Sequence, residues 1–234
     1  MLNDFDKLHC PFVRKTFSIS QEDFKQYRSL YNLRQPHLYL AINEVNPGYE
    51  WVFEDKETIA VEKLNGSNFC IRIENNYIVE IQNRDKVIEP LKINNINGFY
   101  LGAMEGIFNA IKKGYLKDNY IQYGELLGPE LQGNPYNLDR HILYPFDKTI
   151  GSLRYKSFNN YESTFENLSN WFKTDLKSLF YAKINTIPIK DCNMFSEGVI
   201  FYNFKRKEQG MVYRAKLRRD MFPWYYDKII IPGI

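Results

Sequence analysis

The sequence predicts an α+β fold of mainly antiparallel sheets with flanking helices. Three observations predict it. Short runs such as SNFCIRIE and YIVEIQNR are rich in β-branched and aromatic residues and are bounded by turn signals. Two longer stretches, FYLGAMEGIFNAIKKGYL and residues 161–182, space their apolar residues at helical period. Asn65-Gly66 is a tight-turn dipeptide between two strand-like runs, the mark of antiparallel neighbours.

Taken in order, SISQEDFKQYRSLYNL places a serine before an acidic first turn, and predicts a helix over residues 20–33. From Glu57 the texture changes. TIAVEKL, SNFCIRIE and YIVEIQNR follow one another across turns at NGS and ENN, and predict an antiparallel meander. FYLGAMEGIFNAIKKGYL is a helix closed by Gly114. YIQYGELLG and HILYPFD are strands flanking a Gly/Pro-rich loop. Residues 161–182 are helical, and GVIFYNF and MVYRAKL form a hairpin across KRKEQG.

The bulk numbers narrow the class. With 234 residues the chain can bury a core as one large domain or two small ones. The net charge of +3 permits a polyanionic partner without requiring one. Aromatic residues reach 16%, more than a core needs, so some rings are available to stack on bases. Cys10, Cys70 and Cys192 are odd in number and far apart, which excludes a disulfide framework and a zinc site. His9, His37 and His141 are equally scattered. The N-terminal stretch MLNDFDKLHC has no apolar core, so no secretory signal is expected, and no run is long and apolar enough to span a membrane. A reducing cytoplasm, the cell's own or a host's, is the expected setting.

Six segments carry candidate chemistry. In VEKLNGSNF, residues 61–69, Lys63 ends an apolar strand ahead of a tight turn, and Gly66 lets backbone approach a ligand closely. Lysine is a nucleophile only when neutral, so a site that uses one must favour that form by burial or by nearby cations. Arg84 follows the third strand and suits a phosphate or ribose. Glu125, inside YGELLG, is an acid in an apolar run that needs a partner such as a sugar hydroxyl or a hydrated metal. Phe146-Asp147 pairs a ring with an acid. Glu197-Gly198 opens another strand. Arg214 and Lys216, two apart, share a strand face and would repel unless an anion sits between them. Each segment alone has an ordinary reading as a surface charge or a core ring.

Their order resembles the covalent lysine nucleotidyltransferase superfamily, the ATP-dependent ligases and capping enzymes. The resemblance is strongest to the RNA ligase 2-like branch, ATP-dependent RNA ligases whose first motif KLNGSNF fits, and it runs from residue 57 to about 220. It implies a nucleotidyltransferase (ATP-grasp-like) domain over residues 51–234, with a nucleotide pocket between its sheets. Residues 1–50 are then an N-terminal extension packed on that core, and no separate C-terminal domain is expected.

The resemblance also implies roles. Lys63 would carry AMP, with Lys216 and Glu197 as catalytic partners. The backbone of Glu62 would meet adenine, and Phe146 would stack on it. Asn65, Arg84, Glu125, Glu197, Arg214 and Lys216 would line ATP. Arg214 stands where the family usually has lysine. Asn68 and Arg84 would contact RNA. Apart from the resemblance, KRK (residues 205–207), Arg218-Arg219 and the aromatic run Trp224-Tyr225-Tyr226 have two equal readings, as RNA contacts or as a solvated loop and a packed C-terminal tail. Glu125 and Glu197 would hold Mg²⁺ or Mn²⁺ through water. The implied reaction joins RNA 3′-hydroxyl and 5′-phosphate ends, as in RNA repair, on open ends or nicked duplex RNA. The chain is expected to be a monomer, with a possible protein partner for RNA recognition. Two other classes stay open on the sequence: a DNA ligase or capping-type guanylyltransferase, and a non-catalytic RNA-binding protein with a ligase fold.

Overall fold

The structure is a computed structural model that describes residues 7–83, 86–89, 98–160, 164–208 and 211–233. In chain order the first elements are β1 (Phe12–Ser18), α1 (Gln21–Tyr27), β2 (His37–Val45), α2 (Trp51–Glu54) and β3 (Ile59–Lys63). Then come β4 (Ser67–Glu74), β5 (Tyr77–Asn83), β6 (Lys86–Ile88), α3 (Gly98–Lys112), β7 (Tyr120–Leu127), β8 (Ile142–Pro145) and α4 (Phe146–Ser152). The last are α5 (Phe165–Thr174), α6 (Leu179–Ile184), β9 (Gly198–Glu208) and β10 (Met211–Arg218). Among the described residues every strand pairing is antiparallel, as the α+β reading predicts.

The chain divides into two compact units. One spans Leu64–Arg154. Its sheet runs in the order β6-β5-β4-β7-β8. Asn75 and Asn76 both take positive φ in the β4–β5 turn, which gives the tight hairpin that the ENN signal predicts. α3 lays Ala103, Ile107 and Ala110 on Phe69, Ile71, Ile81, Leu126 and Leu143 of the sheet. Fully burying each large side chain here contributes roughly 1.5–3 kcal/mol. Gly114, at φ +64°, ends the helix, and the Tyr115 amide returns to the Ala110 carbonyl at 2.9 Å.

The other unit combines Leu8–Lys63 with Tyr155–Ile234, so β1 and β2 belong to the same unit as β3, β9 and β10. It holds a two-stranded sheet, β1-β2, and a three-stranded sheet in the order β10-β9-β3. Phe12, Trp51, Trp171, Phe172, Phe201 and Phe222 fill its core.

Three expectations change. The meander is not continuous: β3 pairs with β9, and β4 pairs with β5 and β7. Asn65-Gly66 therefore links strands of two different sheets and does not close a hairpin. Gly66 lies against β7, where an added Cβ would stand 2.4 Å from the Leu126 carbonyl oxygen. α1 is shorter than residues 20–33. Ser20 caps it by accepting the Asp23 N–H at 2.9 Å, but the helix ends at Tyr27 and Asn32 takes φ +52°. Within residues 164–184 there are two helices, because Ser178 starts α6 as a new N-cap after α5 has ended at Thr174.

Candidate nucleotidyl-transfer site

The register of the three-stranded sheet places the candidate residues. Lys63, Gly198 and Arg218 form one row across β3, β9 and β10. Glu62, Val199 and Leu217 form the next row, and Val61, Ile200 and Lys216 the one after. Side chains alternate between faces, so Lys63, Arg218, Lys216 and Arg214 share one face while Ala60, Phe201, Ala215 and Leu217 enter the core on the other. Apolar packing on one face thus fixes the direction of the cations on the opposite one.

At the end of this face Glu197 joins the row. Its Oε2 accepts from Lys63 Nζ at 2.5 Å, and its Oε1 lies 3.9 Å from Arg218 Nη1. Arg218 Nη2 in turn meets Asp220 Oδ2 at 3.0 Å. The result is an alternating chain of charge: Lys63, Glu197, Arg218, Asp220. Lys63 and Glu197 expose 23% and 19% of their side chains, enough for a ligand to reach them. Lys216 is half-buried. Desolvation holds its pKa below the ordinary lysine value, and the charges of Arg218, Lys63 and Arg14 add to that effect while Glu197 opposes it. Burial raises the Asp220 carboxyl, against the pull of Arg218.

Glu62 points the other way. It is 1% exposed, accepts from Ser178 Oγ at 2.6 Å and from the Phe180 amide at 2.7 Å, and so ties β3 to the start of α6. Burial outweighs these bonds and pushes its carboxyl up to about 7. The unfolded chain releases that proton near 4.5. Between those values the folded state holds more protons, so stability falls as pH rises, by about 3 kcal/mol from this group. Glu62→Gln should flatten the slope of unfolding free energy between about pH 5 and 7. A slope equal to that of the wild-type chain would refute this assignment.

The other unit holds a second set. Glu125 is 6% exposed, and its Oε1 accepts the Gly66 amide at 3.2 Å. Asn68 stands directly opposite Glu125 across β4 and β7. The Asn65 amide donates to the Tyr136 hydroxyl at 3.0 Å. Half-buried Phe146 begins α4, two residues beyond Tyr144, the β8 partner of Glu125. Arg84 lies outside the described residues.

The tail and loop candidates are engaged in packing or ion pairs. Arg219 Nε donates to the Phe172 carbonyl at 3.0 Å, and its guanidinium lies 4.1 Å from the Phe195 ring centre. Trp224 stacks on Phe222 and donates to Ser169, while the Tyr226 hydroxyl donates to the Asp220 carbonyl. Lys205 and Arg206 pair with Glu57 and Asp55. Three neighbours escape the sequence reading: Asp220, Tyr136 and Arg14. None lies in a recognisable motif. Arg14 in particular comes from β1, in the first 50 residues, which carry none of the six segments.

A hydrated Mg²⁺ or Mn²⁺ fits this donor set. No group of three His, Cys, Asp or Glu suited to a metal occurs among the described residues. Magnesium commonly keeps several waters and takes one or two carboxylates plus substrate phosphates. Glu197, accessible and flanked by cations that attract phosphate, meets that requirement. Among the described residues no helix is long and apolar enough to cross a membrane.

Solved structures similar to this chain include a Naegleria gruberi RNA ligase mutant with ATP and Mn, at 19% identity, covering 76% of this chain and 54% of that one with a TM-score of 0.45. Naegleria gruberi RNA ligase with PPi gives 18%, 76%, 54% and 0.45. A mutant of the same ligase with AMP and Mn gives 18%, 73%, 51% and 0.42. The chain spans about half the length of these proteins. No curated protein matches it. The model of the RNA ligase family matches residues 56–218, well over half the chain and the same stretch that holds all six motif segments, and the chain belongs to that family.

Proposed function

We propose that the chain is an ATP-dependent RNA ligase that carries AMP on Lys63. The observation that supports this reading most is the Lys63–Glu197 pair set on a sheet face with Arg218 and Lys216. An amine is held at the edge of a cationic surface, with one carboxylate oriented on it. Family membership supplies the reaction class, and this pair supplies the nucleophile.

The reaction runs in three steps. Lys63 Nζ, oriented by Glu197 Oε2 and acting as the neutral amine once its proton has left to solvent, attacks the α-phosphorus of ATP. A P–N bond forms, the α–β bridging P–O bond breaks, and pyrophosphate leaves. An RNA 5′-phosphate oxygen then takes the AMP from Lys63, which regains its amine. Last, an RNA 3′-hydroxyl attacks the adenylylated 5′-phosphate, and AMP leaves with the bridging oxygen. Lys216 and Arg214 stabilise negative charge on the phosphoryl oxygens throughout. Glu197 would hold a divalent cation through water, and that cation would supply neutralisation of phosphate charge. The family motifs assign Glu125 and Asn68 to the ribose and the RNA end, and Phe146 to adenine.

Phe146→Ala should weaken ATP binding by about 1–3 kcal/mol, the worth of a stacked ring. An unchanged affinity by calorimetry would return Phe146 to a packing role. The substrate is tested with 5′-phosphorylated strands presented as nicked duplex RNA, single-stranded RNA and nicked duplex DNA. Sealing of an RNA substrate, with an adenylylated strand as intermediate, supports the proposal. Sealing of DNA alone would overturn it.

A further inference from the structure

One end of the charge chain is not used by the proposed reaction. Asp220 lies in the 3₁₀ turn Arg219–Met221, just past β10. Its Oδ2 meets Arg218 Nη2 at 3.0 Å, while its Oδ1 is buried and has no hydrogen-bond partner among the described residues. Arg218 Nη1 stands 3.9 Å from Glu197 Oε1, near enough for attraction and too far for a hydrogen bond. Arg218 Nε is also buried without a partner. The guanidinium is therefore drawn by two carboxylates and bonded to one. A two-pronged arginine–carboxylate bond is its strongest available arrangement, and Glu197 is the second carboxylate within reach. Gly198 keeps the row open. It lies between Lys63 and Arg218 without a side chain, so both cations can turn to Glu197.

We infer that Asp220 is a positioning residue for the transfer site, holding Arg218 back so that Glu197 stays available to Lys63 and to a hydrated divalent cation. The inference rests on the ligase reading above. Released from Asp220, the guanidinium closes on Glu197, displaces the Lys63 ammonium and neutralises the carboxylate that the cation needs. Asp220 thus acts through Arg218 and touches no reacting atom.

A double-mutant cycle separates this role from simple charge. Mn²⁺ binding is read by electron paramagnetic resonance in the presence of α,β-methylene-ATP, which cannot release pyrophosphate. Lysyl-AMP formation from ATP is followed in parallel across Mg²⁺ concentrations. Asp220→Asn should weaken Mn²⁺ binding about tenfold in the wild-type background and less than about twofold in the Arg218→Gln background, because the competitor is gone. Asp220→Glu, which keeps the charge, should restore most of the loss. An equal loss in both backgrounds, or no loss in either, would overturn the inference. Should Asp220→Asn not fold, Arg218→Gln alone decides: it should tighten Mn²⁺ severalfold, and unchanged or weaker binding overturns the idea. A wild-type chain that forms no lysyl-AMP removes the ligase reading and this inference with it. Lysyl-AMP formation with no Asp220 dependence removes the inference alone.

Discussion

Glu197→Ala should slow lysyl-AMP formation by about a thousandfold while the chain stays folded. The side chain exposes 19% of its surface and sits at the sheet end, outside the apolar core, so its loss leaves no cavity. What it does hold is Lys63 Nζ, at 2.5 Å. Losing a preorganised charged partner in a transfer site costs about 10²–10³ in rate. In the proposed reaction the same carboxylate has two duties, orienting the amine and holding the cation's water. The loss should therefore lie at the upper end of that range. Single-turnover labelling with a circular-dichroism melt of the same sample checks it. A rate within tenfold of wild type would show that Glu197 only balances surface charge.

Gly198→Ala should strongly destabilise the unit that holds Lys63. A Cβ there would stand 2.2 Å from the Leu217 carbonyl oxygen and 2.8 Å from the Arg218 Cα, both backbone atoms that no rotamer change can move. The strands β9 and β10 would have to separate at the row that carries Lys63 and Arg218. Overpacking of this kind costs about 3 kcal/mol or more, which for a chain of this size lowers the melting temperature by about 10 °C. The variant should also lose lysyl-AMP formation under conditions where it remains folded, because the row is splayed. A melting temperature within about 2 °C of wild type would contradict the close approach.

Local structure was the most legible part of the sequence. β4 and β7 match their predicted runs closely, and α3 with its closing Gly114 does as well, since each is set by its own periodicity and turn residues. The pairing of β3 was not legible. Its partner, β9, lies more than 130 residues away, and Asn65-Gly66 carries the local signature of a hairpin. A turn dipeptide reports backbone geometry, not which strand lies beside which. In the candidate site, Lys63, Glu197 and Lys216 were nominated by the family motifs, and the shared face of Arg214 and Lys216 followed from strand alternation alone. Asp220 and Tyr136 were not. The contacts that bring them to notice, to Arg218 and to the Asn65 amide, exist only once the chain has folded. Glu62 was legible as a motif neighbour, but its side-chain bonds to Ser178 and Phe180 join segments more than 110 residues apart.

The central claim is a covalent one: AMP on Lys63. The purified chain is incubated with α-labelled ATP or GTP and Mg²⁺ and resolved by denaturing electrophoresis. The account predicts label from ATP that survives denaturation and is absent from Lys63→Ala. Label retained by folded Lys63→Ala, label from GTP alone, or no label on folded wild-type protein would contradict it.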